Sequence, residues 1–301
     1  MRLVGESCAL LAAMVWALAL VLFRASGQSV PPLSLNLFKN AIGLLLLAST
    51  ILVLREGFWL PGGATWSDVG TLALSGIIGI SIADTLFFYG LNRIGVGIIS
   101  VVDCSYTPFV IFFSTMLLGE RLEPYHYAGV LLILVGVLMA SGHAPPANIT
   151  RPQLLVGVLA ASASMCAMAY AIVIAKPVLE RTPLLWATFV RMIAGSAVLA
   201  LFGALHPDRR RIVAVFRPSQ VWKVAIPGAA LGTYVSLLLW VAGFKYASAS
   251  VAAVLNQTSV IFALLLATLM LREPLTRRKI AAVTLAFAGV ALVTLFPYLS
   301  G

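Results

Sequence analysis

The sequence predicts an all-α integral membrane protein of ten transmembrane helices, arranged as two inverted five-helix repeats. Three observations point there. Of 301 residues, 61% are hydrophobic and only 10% charged, and mean hydropathy is +1.04. A soluble domain is nearer half apolar and a quarter charged, so the solvent for this chain must be lipid. Ten apolar runs reach spanning length, which takes about 20 residues. Finally, residues 90–140 line up with 243–293 at a constant shift of 153 positions.

In chain order the runs are 6–25, 34–54, 69–91, 95–118, 125–142, 153–175, 184–205, 222–243, 249–271 and 279–297. Inside a bilayer every backbone N–H and C=O must be satisfied within the segment, so these runs are helices. The first run has Arg2 before it and small residues after it, as a signal peptide would. It is long, however, contains Glu6, and has an internal counterpart at 153–175, so it reads as a span. Turn residues separate the early runs, in GQSVPP (27–32) and PGGATW (61–66). The third and fourth runs are parted only by NRIG (92–95), and the eighth and ninth only by KYASAS (245–250).

That coincidence exposes the repeat. Gly90 matches Gly243, Phe109 matches Phe262, Glu120 matches Glu273 and Gly136 matches Gly289, across two spans and a charged loop. The chain divides into 1–142 (five spans), a linker at 143–152, and 153–301 (five spans). Five is odd, so the second copy starts on the opposite side of the membrane. Inverted repeats are a recurring device of secondary transporters, with the substrate site near the midplane between halves.

The segment YGLNRIGVGIISVVDCSYTPFVIFFSTMLLGERL (89–122) resembles the EamA-domain segment of the drug/metabolite transporter superfamily. GFKYASASVAAVLNQTSVIFALLLATLMLREPL (243–275) resembles its second copy. The resemblance covers nearly the whole chain. It implies ten helices in two EamA units and a multi-pass carrier of the plasma (inner) membrane. The expected function is secondary transport of a small organic metabolite or drug-like compound, as an exporter, by alternating access. The alternative is an intramembrane enzyme acting on lipid or polyprenyl substrates, but no clustered catalytic set is visible. There is no P-loop, HExxH or GxSxG. The three cysteines have no CxxC spacing, and the three histidines are scattered. No cofactor and no metal are expected.

Net charge is +10. The basic residues fall mostly between or at the edges of the apolar runs, where they meet headgroups, so nucleic acid is not an expected partner. The expected partners are a small-molecule substrate, the lipid bilayer and, as a candidate coupling ion, protons. Oligomeric state is not legible. The bulk of the lysines and arginines lie on the side opposite the N-terminus. By the positive-inside rule that puts both termini outside, whereas the resemblance implies cytoplasmic termini. The two disagree, and orientation stays open.

Candidate site residues follow from polarity at membrane depth. A charge in hydrocarbon costs roughly 2.5–3.5 kcal/mol on insertion scales, so such residues face a cavity or a partner. Asp103 is the first candidate. The repeat pairs it with Asn256, and Gln257 with Cys104, giving two polar patches, DCSY and NQTS, in related spans. Pro108 lacks an N–H and would kink its span as a gate; Ile261 takes its place in the second copy, so the halves need not bend alike. Asp84 is joined by Thr85, Phe88 and Tyr89 as a possible wall. Lys39 and Arg191 hold similar places in the second span of each half, where each could pair with Asp84 or Asp103 or bind an anionic substrate. Snorkelling is the plainer reading for Lys39 and ligand binding for Arg191. Trp16, Tyr106 and Tyr234 are candidate stacking surfaces, with Tyr170 and Trp240 beside them. Glu120 and Glu273 are expected to cap the helix that follows each.

Overall fold

The computed structural model describes residues 2–27, 30–140, 150–262, 265–266 and 277–294. The loop holding Glu273 and most of the 143–152 linker lie outside the described residues. Those described form helices and connecting turns, with no strand among them.

Helix α1 (Arg2–Gly27) buries a stripe of alanines, Ala9, Ala12, Ala13, Ala17 and Ala19. Small side chains let backbones approach where lipid supplies no hydrophobic drive between helices. Helix α2 (Pro32–Val53) opens on a proline, whose missing N–H is no loss in a first turn. Helix α3 (Trp66–Gly76) starts at a capping box: the Asp68 N–H donates to Thr65 Oγ1 at 3.3 Å and the Thr65 N–H to Asp68 Oδ2 at 2.8 Å. It runs through a π-helical stretch, Ile77–Ala83, into α4 (Asp84–Asp103). Helices α5 (Tyr106–Leu118) and α6 (Pro124–Ala140) complete the first half.

The second half holds α7 (Arg151–Arg181), capped by Thr150 and Gln153, and α8 (Leu184–Leu205). A short α9 (Arg209–Val213) precedes α10 (Trp222–Ala229). A second π stretch, Ala230–Ser236, leads into α11 (Leu237–Tyr246). Helix α12 (Ala249–Asn256) and α13 (Arg277–Thr294) follow. Among the described residues six helical stretches are long and apolar enough to cross a membrane: Arg2–Leu20, Leu33–Val53, Trp66–Leu91, Arg151–Arg181, Leu184–Leu205 and Trp222–Tyr246. Tyr106–Leu118, Pro124–Met139, Ala249–Phe262 and Ile280–Val293 are shorter apolar helices. Large apolar side chains such as Leu45, Phe112, Met116, Leu131 and Phe202 point outward, as a lipid-facing shell requires.

Helices from the two halves interdigitate. Helix α1 packs on α10 and α11, α3 and α4 on α7 and α8, and α6 on α13. Two π stretches stand 153 residues apart, at 77–83 and 230–236. Two helix breaks do as well, at Cys104–Ser105 and Gln257–Thr258.

Two expectations need correction here. NRIG does not separate two helices: α4 runs through it, because nothing in it caps a new helix. At KYASAS the break is real, because Ser248 accepts from the Val251 N–H and caps α12. Pro108 stands four residues after Cys104, where the chain breaks. It sits in the first turn of α5, where no N–H is needed. The second half breaks at the matching point with Ile261 in place of the proline. Glu120 caps no following helix. Its carboxylate accepts from the Ala249 and Ser250 N–H groups at 2.8 and 3.1 Å, capping α12 of the other half.

Candidate functional site

At the breaks after α4 and α12 a hydroxyl bonds back into the preceding turn. Ser105 Oγ donates to the Val102 carbonyl at 2.6 Å, and Thr258 Oγ1 donates to the Leu255 carbonyl, also at 2.6 Å. Each break also bonds across to the other half. Gln257 Nε2 donates to the Asp103 carbonyl at 3.1 Å, and Thr107 Oγ1 donates to the Ala253 carbonyl at 3.3 Å. This crossing places Asp103, Asn256 and Gln257 together on the wall of one central cavity.

The cavity measures about 290 Å³, the volume of about ten waters. Its walls come from α1, α2, both π stretches, α4, α5, α7, α8, α11 and the α12 break. Of the sequence-predicted residues it gathers Trp16, Lys39, Asp84, Asp103, Tyr106, Arg191, Asn256 and Gln257. Phe88 joins them. Tyr89 does not: Asp84, Phe87, Phe88 and Leu91 share the inward helical face, and Tyr89 points outward under Arg93, whose guanidinium lies 4.4 Å from its ring centre. Tyr234 also lies off the lining, where its hydroxyl meets Thr50 Oγ1 at 2.5 Å and ties the second π stretch to α2. Pro108 is exposed on the outer surface.

The charges in the cavity fall into two kinds. Lys39 Nζ pairs with Asp84 Oδ2 at 2.8 Å and is 5% exposed, so it does not snorkel to an interface. Arg191 is 3% exposed. Its Nε donates to Ser75 Oγ at 3.0 Å, and its guanidinium lies 5.6 Å from the Trp240 ring centre. The α3–α8 contact fixes it, since a Cβ at Gly76 would overlap the Arg191 carbonyl. Neither Arg191 nor Asp103 has an ion-pair partner among the described residues. The cavity therefore presents one cation and one carboxylate without a mate, between the aromatic walls of Trp16, Phe88, Tyr106 and Trp240.

Asn40, Ser164, Met165, Met168, Thr233 and Ser236 also line the cavity and were missed in the sequence. Asn40 carried a usable signal, as a second polar residue beside Lys39 inside an apolar span. The methionines carried none. No group of three His, Cys, Asp or Glu among the described residues could hold a metal ion.

A family model for EamA-like transporters matches this chain twice, over residues 3–142 and 155–295. The chain belongs to the EamA-like transporter family and is a multi-pass membrane transporter. It is 25% identical over 278 residues to a protein of Archaeoglobus fulgidus named an uncharacterized transporter, a match covering 92% of this chain and 94% of that one. It is 28% identical over 137 residues to the pseudopaline exporter CntI of Pseudomonas aeruginosa, 45% of each chain. A solved crystal structure matches over 100% of both chains with a TM-score of 0.81 at 23% identity, a likeness of fold alone.

Proposed function

We propose that the protein is a secondary transporter that exports a small organic metabolite or drug-like compound across the plasma membrane. Its ten spans form two inverted five-helix repeats, residues 1–142 and 153–301, joined by a linker at 143–152. The substrate binds in the central cavity, and the halves rock to expose it alternately to either side. The observation that carries this reading is the central cavity, with Arg191 and Asp103 on its wall and no ionic partner for either among the described residues. Leaving two charges at membrane depth without mates is costly unless a ligand or water completes them. The matched π stretches and helix breaks, 153 residues apart, support the repeat, and the name of one relative supports export.

Arg191 neutralises an anionic group of the substrate, with Trp240 and Trp16 packed on its body. Asp103 is the candidate proton carrier, facing a cavity whose other charges are the Lys39–Asp84 pair and Arg191. The test is counterflow in proteoliposomes with a panel of amino acids, purines, sugars, sugar phosphates, polyamines and cationic drugs. Saturable counterflow of one class, lowered at least tenfold by Arg191→Ala, supports the reading. Asp103→Asn should remove any dependence of transport on a pH gradient. If no class exchanges while an isoprenoid lipid is consumed, the enzyme reading replaces this one.

A further inference from the structure

We propose that the crossing of the two helix breaks is a subsite for a compact monovalent cation, either an alkali-metal ion such as Na⁺ or a primary ammonium group of the transported molecule. The proposal rests on the reading that the central cavity is the transport site, and it adds a ligand chemistry that the cavity's charges alone do not specify.

Three side chains that carry acceptor atoms line the cavity at this crossing, Asp103, Asn256 and Gln257. The Asp103 carboxylate lines the cavity and has no ion-pair partner among the described residues. Gln257 is 2% exposed, and its Oε1 is buried with no donor among the described residues. Its orientation is fixed by chemistry: Nε2 donates to the Asp103 carbonyl at 3.1 Å, which only the amide nitrogen can do, so the oxygen is the end left over. Asn256 repeats the arrangement. Its Nδ2 donates to the Ala252 carbonyl at 2.9 Å, so Oδ1 is the end of the amide that can accept. A buried acceptor without a donor costs about 1–3 kcal/mol, and a cation removes that cost.

Both helices are interrupted at this point, α4 after Asp103 and α12 after Asn256, and discontinuous helices are a setting in which carriers coordinate small cations. The nearby cations are engaged elsewhere: Lys39 with Asp84, and Arg191 with Ser75 and the Trp240 face. Ile99, Tyr106 and Val260 wall the same region and favour a compact cation over a quaternary one.

The experiment uses purified protein in detergent, with no transported molecule present. Melting is followed in choline chloride, then with NaCl, KCl or methylammonium chloride replacing choline at constant ionic strength. Binding to the folded state raises the melting temperature saturably. The expected result is a shift of several degrees with Na⁺ or methylammonium over choline. Asp103→Asn and Gln257→Leu should raise the half-saturating concentration at least tenfold, whereas Gln257→Glu, which keeps the acceptor, retains the shift. A response to Na⁺ alone assigns an inorganic ion; a response to methylammonium alone assigns the substrate's ammonium. Binding of radioactive Na⁺ and methylamine to the unmodified protein supplies a readout should a variant fail to fold. No response above choline in either assay overturns the subsite, as does a shift unchanged in both Asp103→Asn and Gln257→Leu. Counterflow on the same preparation separates the claims: persisting without any cation response, it leaves the transport reading standing and removes this one.

Discussion

Lys39 and Asp84 hold each other's charge on one wall of the cavity, while Arg191 and Asp103 face it unpaired. This division makes a prediction at the scale of single side chains. Removing one member of a mostly buried pair strands the other, at about 3–5 kcal/mol. Lys39→Met or Asp84→Asn alone should therefore lower the melting temperature clearly, and the double variant should recover most of the loss. Equal, additive losses would show that the two do not interact. Asp103→Asn should instead be close to neutral or stabilising, because no partner among the described residues is stranded. Most of these residues were legible as candidates, because a polar side chain in a run such as VVDCSYTPF has few tolerable fates. Which partner each takes was not. Asp84 was one of two aspartates that could pair with Lys39, but nothing local chooses a partner 45 positions away over snorkelling, which looked the plainer fate.

Between elements, two lysines staple the ends of α7 and α11 reciprocally. Lys176 Nζ donates to the Phe244 and Ala247 carbonyls at 2.9 and 2.8 Å, at the end of α11. Lys245 donates to the Leu179 and Thr182 carbonyls, at the end of α7. Each satisfies carbonyls that a helix terminus leaves bare and favours its dipole. Lys176→Met should destabilise by about 1–3 kcal/mol through unsatisfied acceptors, read as a lower midpoint in thermal melts; an unchanged midpoint would mean water serves those carbonyls as well. Gly76 marks a tighter constraint, since any side chain there overlaps the α8 backbone. Gly76→Val should abolish folded yield, whereas Gly119, whose φ of 66° ends α5, should tolerate Asn. The spans themselves were legible from hydropathy. The break after α12 was not, because Ile261 stands in place of the proline. Ser105 and Thr258 each bond a hydroxyl to the carbonyl three residues back, but serine or threonine also sits unbroken in helices, as Thr50 does in α2.

For the whole molecule, the internal shift of 153 residues was legible before any geometry, because it extends across spans and loop alike. A shared pocket was expected from the matched polar patches DCSY and NQTS, but how the two copies cross to wall it was not legible, because a repeat gives matched positions only. The inverted-repeat reading predicts that reporters fused to either terminus fall on the same side of the membrane; opposite sides would refute an even number of spans. The central claim is that Arg191 and Asp103 mark the place where the transported molecule binds. Its most direct test is a thermal-shift screen of the purified protein against the compound panel, repeated with Arg191→Ala and Asp103→Asn. The account predicts at least one compound class that stabilises the unmodified protein and loses at least tenfold in half-saturating concentration with Arg191→Ala. A stabilising compound indifferent to both substitutions would contradict it, and would move the binding site out of the central cavity.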